Sequence, residues 1–147
     1  MNWLLFFLHE SADFKHRTLK DIWSFDDKKI ERTHDFIQIL FPLCEKSGSS
    51  FHGFYLDDES KVLELQSNPE AKNNIIKSAA WFYGFLERNQ HWHQAYDHNH
   101  LRITRVIKCL RLLVSDDEAN KFRQDVLTLI SDKSKINQTS LDFWNNA

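Results

Sequence analysis

An all-α fold, a compact bundle of about six to seven helices, is what the sequence predicts, and three observations carry the prediction. Only three glycines and two prolines occur among 147 residues, too few chain-reversing residues for the many tight turns of a sandwich or barrel. Apolar residues recur at helical spacing through several long stretches. Side-chain oxygens stand three residues ahead of acidic residues at several points, the pattern of a helix start. With 41% hydrophobic and 27% charged residues, one domain spanning residues 1–147 is expected, able to bury roughly 70% of its unfolded surface. Twelve Phe and five Trp imply that rings fill much of its core.

The first element is a short buried helix over Trp3 to Leu8, too brief for a secretory or membrane segment and with no cation before it. Thr18 with Asp21 and Ser24 with Asp27 approximate two capping boxes, Asp replacing the usual Glu or Gln. A helix should then run from about Asp26 to Leu40, with Ile30, Ile37, Leu40 and Phe41 inward, and end at Pro42, which disfavours helical geometry in the residue before it. Cys44 to Tyr55 reads as the longest loop, although the alternation from Ser50 to Leu56 would tolerate an extended piece.

Asp57 opens a short helix through Gln66, and Asn68 followed by Pro69 caps a longer one with Ile75, Ala79, Phe82, Tyr83 and Leu86 inward. Gly84 within it costs about 1 kcal/mol relative to Ala unless another backbone needs the space. A close helix crossing is therefore expected there, with Gly84→Leu unfolding or swelling the domain. Ser115 and Glu118 begin a last long helix with Ala119, Phe122, Val126 and Leu129 inward, and the terminal SLDFW docks as one further turn.

Between these lies HNHLRITRVIKCL, His98 to Leu110. Advancing about 100° per residue, Ile103, Val106, Ile107, Leu110, Leu113 and Val114 share one arc and Thr104, Arg105, Lys108, Cys109 and Arg111 the opposite one. Leu101 and Leu112 form a smaller ridge among the latter, so protein contact on both sides is expected. Arg102 sits at the edge of the main apolar arc. A guanidinium drawn inward there needs a carboxylate or several carbonyls, with Asp35 and Glu31 as candidate partners. Asn99 is a suitable N-cap, and His98, His100, Arg102 and Arg105 around a helix start could form an anion or carboxylate pocket.

A net charge of -2 supplies no general field for nucleic acid, and no DNA partner is expected. RNA contact through Arg105, Lys108 and Arg111 is a weaker reading. His91, His93, His98 and His100 make two HxH pairs, but rings two apart on a helix point to different sides, and no metal or other cofactor is expected. His34 and Asp35 are adjacent, hence about 100° apart on a helix, and cannot pair as base and orienting carboxylate. His34 is expected to pack near Ile30 and Ile37, and Gln38 to cap or bridge helices. Cys44 and Cys109 are too far apart for a CxxC site, and unpaired cysteines make a cytoplasmic location the default.

Taken together, IERTHDFIQILFPL (Ile30 to Leu43), FYG (Phe82 to Gly84) and HNHLRITRVIKCL resemble the domain of the opioid growth factor receptor family. Its pattern is H-(D/N)-(F/Y)-I-Q-W-L-F-P, a middle FYG, and H-N-x-L-R-I-T-R-I-L-x-x-L. The correspondence falls on His34, Asp35, Ile37, Gln38, Leu40, Phe41 and Pro42, then on Asn99, Leu101, Arg102, Ile103, Thr104 and Arg105. Ile39 stands where the family has Trp, which removes an aromatic surface or packing element. The resemblance implies a receptor-like module, in animals a perinuclear or nuclear receptor for an enkephalin peptide catalogued with membranes despite having no spanning helix. It also suggests a short stand-alone member of microbial type, and it supplies no catalytic residues.

A non-enzymatic module binding a peptide or small acidic ligand is thus expected, through His34, Asp35, Gln38, His98, Asn99, His100, Arg102 and Arg105. The alternative is a hydrolase or transferase with His34, His98 or His100 as base and Arg102 or Arg105 as oxyanion or phosphate clamp.

Overall fold

The computed structural model describes residues 1–46 and 53–147. Among them are nine α-helices and no strand: α1 (Trp3–Phe7), α2 (Leu19–Trp23), α3 (Asp27–Arg32), α4 (Ile37–Leu40), α5 (Glu59–Gln66), α6 (Pro69–Arg88), α7 (Asn99–Leu113), α8 (Asp116–Leu129) and α9 (Gln138–Asn146), with 3-10 turns at Gln90–Trp92 and Lys133–Lys135. α7 is central, packing against α8, α9, α6 and α5, while α1 lies against α5 and α6. The apolar arc of α7 is buried as its periodicity predicts, from Ile103 through Leu113. Cys109 on the opposite arc is buried too, and burial pushes its thiol up to about 12, against the pull of Arg105. Leu101, in contrast, projects outward.

Rings do fill the interior. Trp92, Trp144, Phe6, Phe7, Phe36, Phe41, Phe82 and Phe85 are all fully enclosed. The buried indoles find carbonyls, as a low-dielectric interior requires: Trp92 donates to Leu86, Trp144 to His100 and Trp3 to Ile39. Ile39 is itself fully buried, so the position where the family pattern has Trp is one of packing.

Local signals set most helix ends. Thr18 and Asp21 form a reciprocal capping box, Asn68 accepts from Ala71 N–H, and Ser115 accepts from Glu118 N–H, each worth about 1 kcal/mol. α1 closes on a left-handed residue, His9 (φ 62), with His9 N–H bonded to Phe6 and Glu10 N–H to Leu5, a Schellman arrangement. Ser24 does not start α3. Its hydroxyl is spent on Asp21 at the end of α2, and Asp26 caps α3 instead.

The helix expected from about Asp26 to Leu40 is two helices. Thr33 is extended at the end of α3 and α4 begins only at Ile37. A continuous helix would commit the Ile30 and Thr33 carbonyls to the N–H groups four residues on. Here both accept from Arg102, at 3.0 and 2.8 Å, while the Asp35 carboxylate is held by Arg17 and Lys15. These pulls come from residues distant in sequence, so hydrophobic periodicity does not register them. Further division into elements of one or two turns accounts for nine helices rather than six or seven.

Gly84 makes no close crossing. Among the described residues, a Cβ there would meet only the tip of its own helix's Arg88, at 2.9 Å, and no neighbouring backbone. Tyr83 and Leu129, expected inward, are half-buried. Of the loop over Cys44 to Tyr55, and of its possible extended piece, residues 47–52 lie outside the described residues. The flanks meet through Leu56 N–H and the Leu43 carbonyl, 2.8 Å apart. Among the described residues no helix is long and apolar enough to cross a membrane.

Candidate functional site

The start of α7 is capped from one residue earlier than its sequence suggests. His98, not Asn99, occupies the N-cap position and makes no side-chain cap bond. Asp97 Oδ1 accepts from Asn99 N–H at 2.9 Å and performs that task. Asn99 is therefore free to turn its side chain inward, where it is fully buried. Its Oδ1 accepts from Arg102 at 3.3 Å and its Nδ2 donates to Glu31 Oε2 at 3.2 Å.

Arg102 and Arg105 stand three apart on one face of α7 and both donate to backbone, Arg105 through Nε alone, with its Nη2 buried and unpartnered among the described residues. Arg102, only 5% exposed, donates to Ile30 and Thr33 at the end of α3, with its guanidinium over the Phe36 ring at 5.3 Å. Arg105 Nε donates to the Phe41 carbonyl at 2.9 Å, at the end of α4. Each guanidinium thus meets the orphan carbonyls and negative dipole end of a short helix. Burial draws the pKa of both down, with the nearby Glu31 and Asp97 countering it at Arg102. Of the two kinds of acceptor expected for Arg102, carbonyls serve. Asp35, buried on the far side of the same bend, pairs with Lys15 and Arg17 instead. Burial raises its pKa, yet the hydrogen bonds from Lys15 and Arg17 leave it below the usual range.

One turn away, α3 and the start of α7 bring titratable groups together at the surface. Glu31 Oε1 lies 3.0 Å from His98 Nε2 and 3.1 Å from His91 Nε2. Asp97 joins Glu31 and His98, with one ligand atom from each lying within 4.8 Å of the others. His34 is exposed rather than packed on Ile30 and Ile37, its ring edge-to-face with His98 at 5.6 Å. Desolvation and the Arg102 charge lower the His98 pKa, with Glu31 acting in the opposite sense.

The other candidate residues go elsewhere. Gln38 is buried in α4. His100 is buried, with Nε2 2.8 Å from the Trp92 carbonyl and Nδ1 3.1 Å from Ser140 Oγ. A carbonyl only accepts, so Nε2 carries the proton and Nδ1 accepts from the hydroxyl. Neither nitrogen is left for a proton transfer. The structure thus unites His34, His98, Asn99 and Arg102 around Glu31 and separates them from Asp35, Gln38 and Arg105, while His100, though buried, shares with His98 the lining of the cleft beside the start of α7. The RNA candidates are also engaged: Lys108 with Glu45, and Arg111 with Asp116, Asn120 and the Ala147 carbonyl.

On its outer side His98 borders an open cleft of about 530 Å³ between the start of α7 and α9, lined also by Tyr96, Asp97, Leu101 and Thr139. Sequence reasoning overlooked Tyr96, Asp97 and the α9 wall, and took Glu31 only as a partner for Arg102. The sole available signal was the density of His, Asp and Asn from His91 to His100, which does not say which of them meet.

Residues 7–147 match the family model described as the opioid growth factor receptor (OGFr) conserved region. The chain belongs to this family. It is similar to opioid growth factor receptor-like protein 1 of Xenopus tropicalis, 33% identical over 106 aligned positions that cover 60% of this chain and 20% of that protein. The proteins of the same name from Mus musculus and Rattus norvegicus are each 32% identical, with 60% of this chain and 22% of theirs covered. The chain thus spans about a fifth of the length of these OGFr-like relatives. No solved structure matches it. Within the OGFr region, the two arginines of RITR hold both ends of the THDFIQILFP bend, which supplies a physical reason for the two motifs to occur together.

Proposed function

We propose that this OGFr-family chain is a non-enzymatic, receptor-like binding module that takes a peptide in the cleft between the start of α7 and α9. One observation carries the reading. Tyr96 and Leu101, 79% and 66% exposed and the two most exposed large hydrophobic side chains among the described residues, line the same cleft. Apolar groups left in water at a concave surface, ringed by Asp97, Asn137, Thr139 and Ser140, match the make-up of a ligand site: an apolar contact with a few orienting polar groups. Among the described residues no Lys or Arg lines the cleft, and Asp97 contributes negative charge. A peptide's apolar side chains and amides therefore suit it better than a small acid. The relatives' name, receptor-like, agrees with this role, and a cytoplasmic setting goes with it.

Backbone amide NMR shifts on titration with short aromatic and aliphatic peptides test the proposal. Shifts should concentrate at Tyr96, Leu101 and Thr139, and Tyr96→Ala or Leu101→Asp should weaken binding about tenfold, the effect of roughly 1.4 kcal/mol at an interface anchor. Shifts clustered on another face, or affinities untouched by both substitutions, would refute it.

A further inference from the structure

We propose that Glu31, Asp97 and His98 form a binding site for a divalent transition metal of the zinc class, with His91 as fourth ligand. Asp97 and His98 also border the cleft, but the assignment does not depend on what the cleft binds. In a tetrahedral zinc site with bonds of roughly 2.0–2.1 Å, neighbouring donor atoms are about 3.3 Å apart. His98 Nε2 and His91 Nε2 stand 3.0 and 3.1 Å from a single oxygen of Glu31, close to that edge length. Asp97 supplies a further ligand atom within 4.8 Å of those of Glu31 and His98. The two imidazoles come from different HxH pairs and each reaches Glu31; ligand atoms of Glu31, Asp97 and His98 already lie within 4.8 Å of one another, and His91 joins them by turning inward.

The carboxylates are held as a metal site requires. Asn99, fully buried, grips both: its backbone N–H holds Asp97 Oδ1 and its Nδ2 holds Glu31 Oε2. Arg102 in turn fixes Asn99 through Oδ1. Such an outer layer of hydrogen bonds orients metal ligands and sets their affinity. Asp97 Oδ2 is held by Gln94, through a 3.1 Å bond between exposed groups that gives way at little cost. The His91 and His98 side chains are 46% and 42% exposed, so an ion has an entry path and His91 is free to swing inward. Two carboxylates outnumber the one guanidinium behind them. Two imidazoles with two carboxylates favour zinc-class ions over calcium or magnesium, which take oxygen ligands. On binding, each Nε2 gives its lone pair to the metal, any proton on it passing to solvent, and each ring keeps its N–H at Nδ1.

Titration of untagged, chelator-treated protein with Zn²⁺, followed by calorimetry, tests the site. One equivalent should bind, and Glu31→Gln and His98→Gln should each lower affinity at least ~100-fold, with His91→Gln costing about tenfold. Circular dichroism establishes that each variant is folded. Co²⁺ should broaden the His91 and His98 ring signals in proton NMR of the unaltered protein and leave those of His16 sharp, a readout that needs no substitution. No binding to the unaltered protein, equal affinity in Glu31→Gln and His98→Gln, or broadening confined to other histidines would overturn the assignment.

Discussion

His98 and Arg102 lie one turn apart at the start of α7, in the same polar stretch of sequence, yet they belong to two different environments. Arg102 is buried and commits its donors to the carbonyls of Ile30 and Thr33 and to Asn99. His98 is partly exposed and shares a carboxylate with His91 at the surface. Burial without free acceptors makes the first an anchor. Convergence with partial exposure makes the second available to something outside the chain. The lesson is that a dense polar motif is not one site, because its residues divide according to the direction of each side chain around the helix.

The division has measurable consequences. Arg102→Met should cost the most, about 3 kcal/mol in urea unfolding, because charged hydrogen bonds are lost and two carbonyls are left unsatisfied. Arg102→Lys should recover less than half of this, since an ammonium cannot reproduce the fork. A loss under about 0.5 kcal/mol would place Arg102 with ordinary surface residues and erase the contrast.

Next comes Asp35→Asn, expected to cost roughly 2 kcal/mol at neutral pH. The native pKa of Asp35 lies below its ordinary 3.8, so its contribution is fully present above that value and is lost as pH falls through the lower native one. The stability gap between the natural protein and Asp35→Asn should therefore close between neutrality and strong acid. A gap unchanged at pH 3 would show that the carboxylate charge is not what holds the bend.

Glu31→Gln should change stability by no more than about 0.5 kcal/mol, since its histidine partners are partly exposed and an amide oxygen still accepts from the buried Asn99. Leu101→Asp should have the smallest effect, near zero on stability, while weakening peptide binding. A large loss of stability in either variant would move the surface group into the scaffold.

The fold was largely readable from the sequence. Helix starts at Thr18, Asn68 and Ser115 and the buried arc of α7 follow from signals within a few residues of one another, and local propensity operates at that range. The inward position of Arg102 was readable as well, since an arginine at the edge of an apolar stripe has to find acceptors. The candidate site was much less so. Asp35 looked equally suitable as a partner for Arg102, and nothing near His98 indicated that Glu31, from α3, would meet it.

Composition, periodicity and caps by themselves specified an all-helical chain and the faces of its longer helices, because these depend on contacts spanning three or four residues. Packing specified the interruption between α3 and α4, the choice of carbonyls over carboxylates for Arg102, and the meeting of His91 and His98 at Glu31. Those outcomes join groups some 60 or 70 positions apart, and such pairings depend on which surfaces the assembled helices bring face to face.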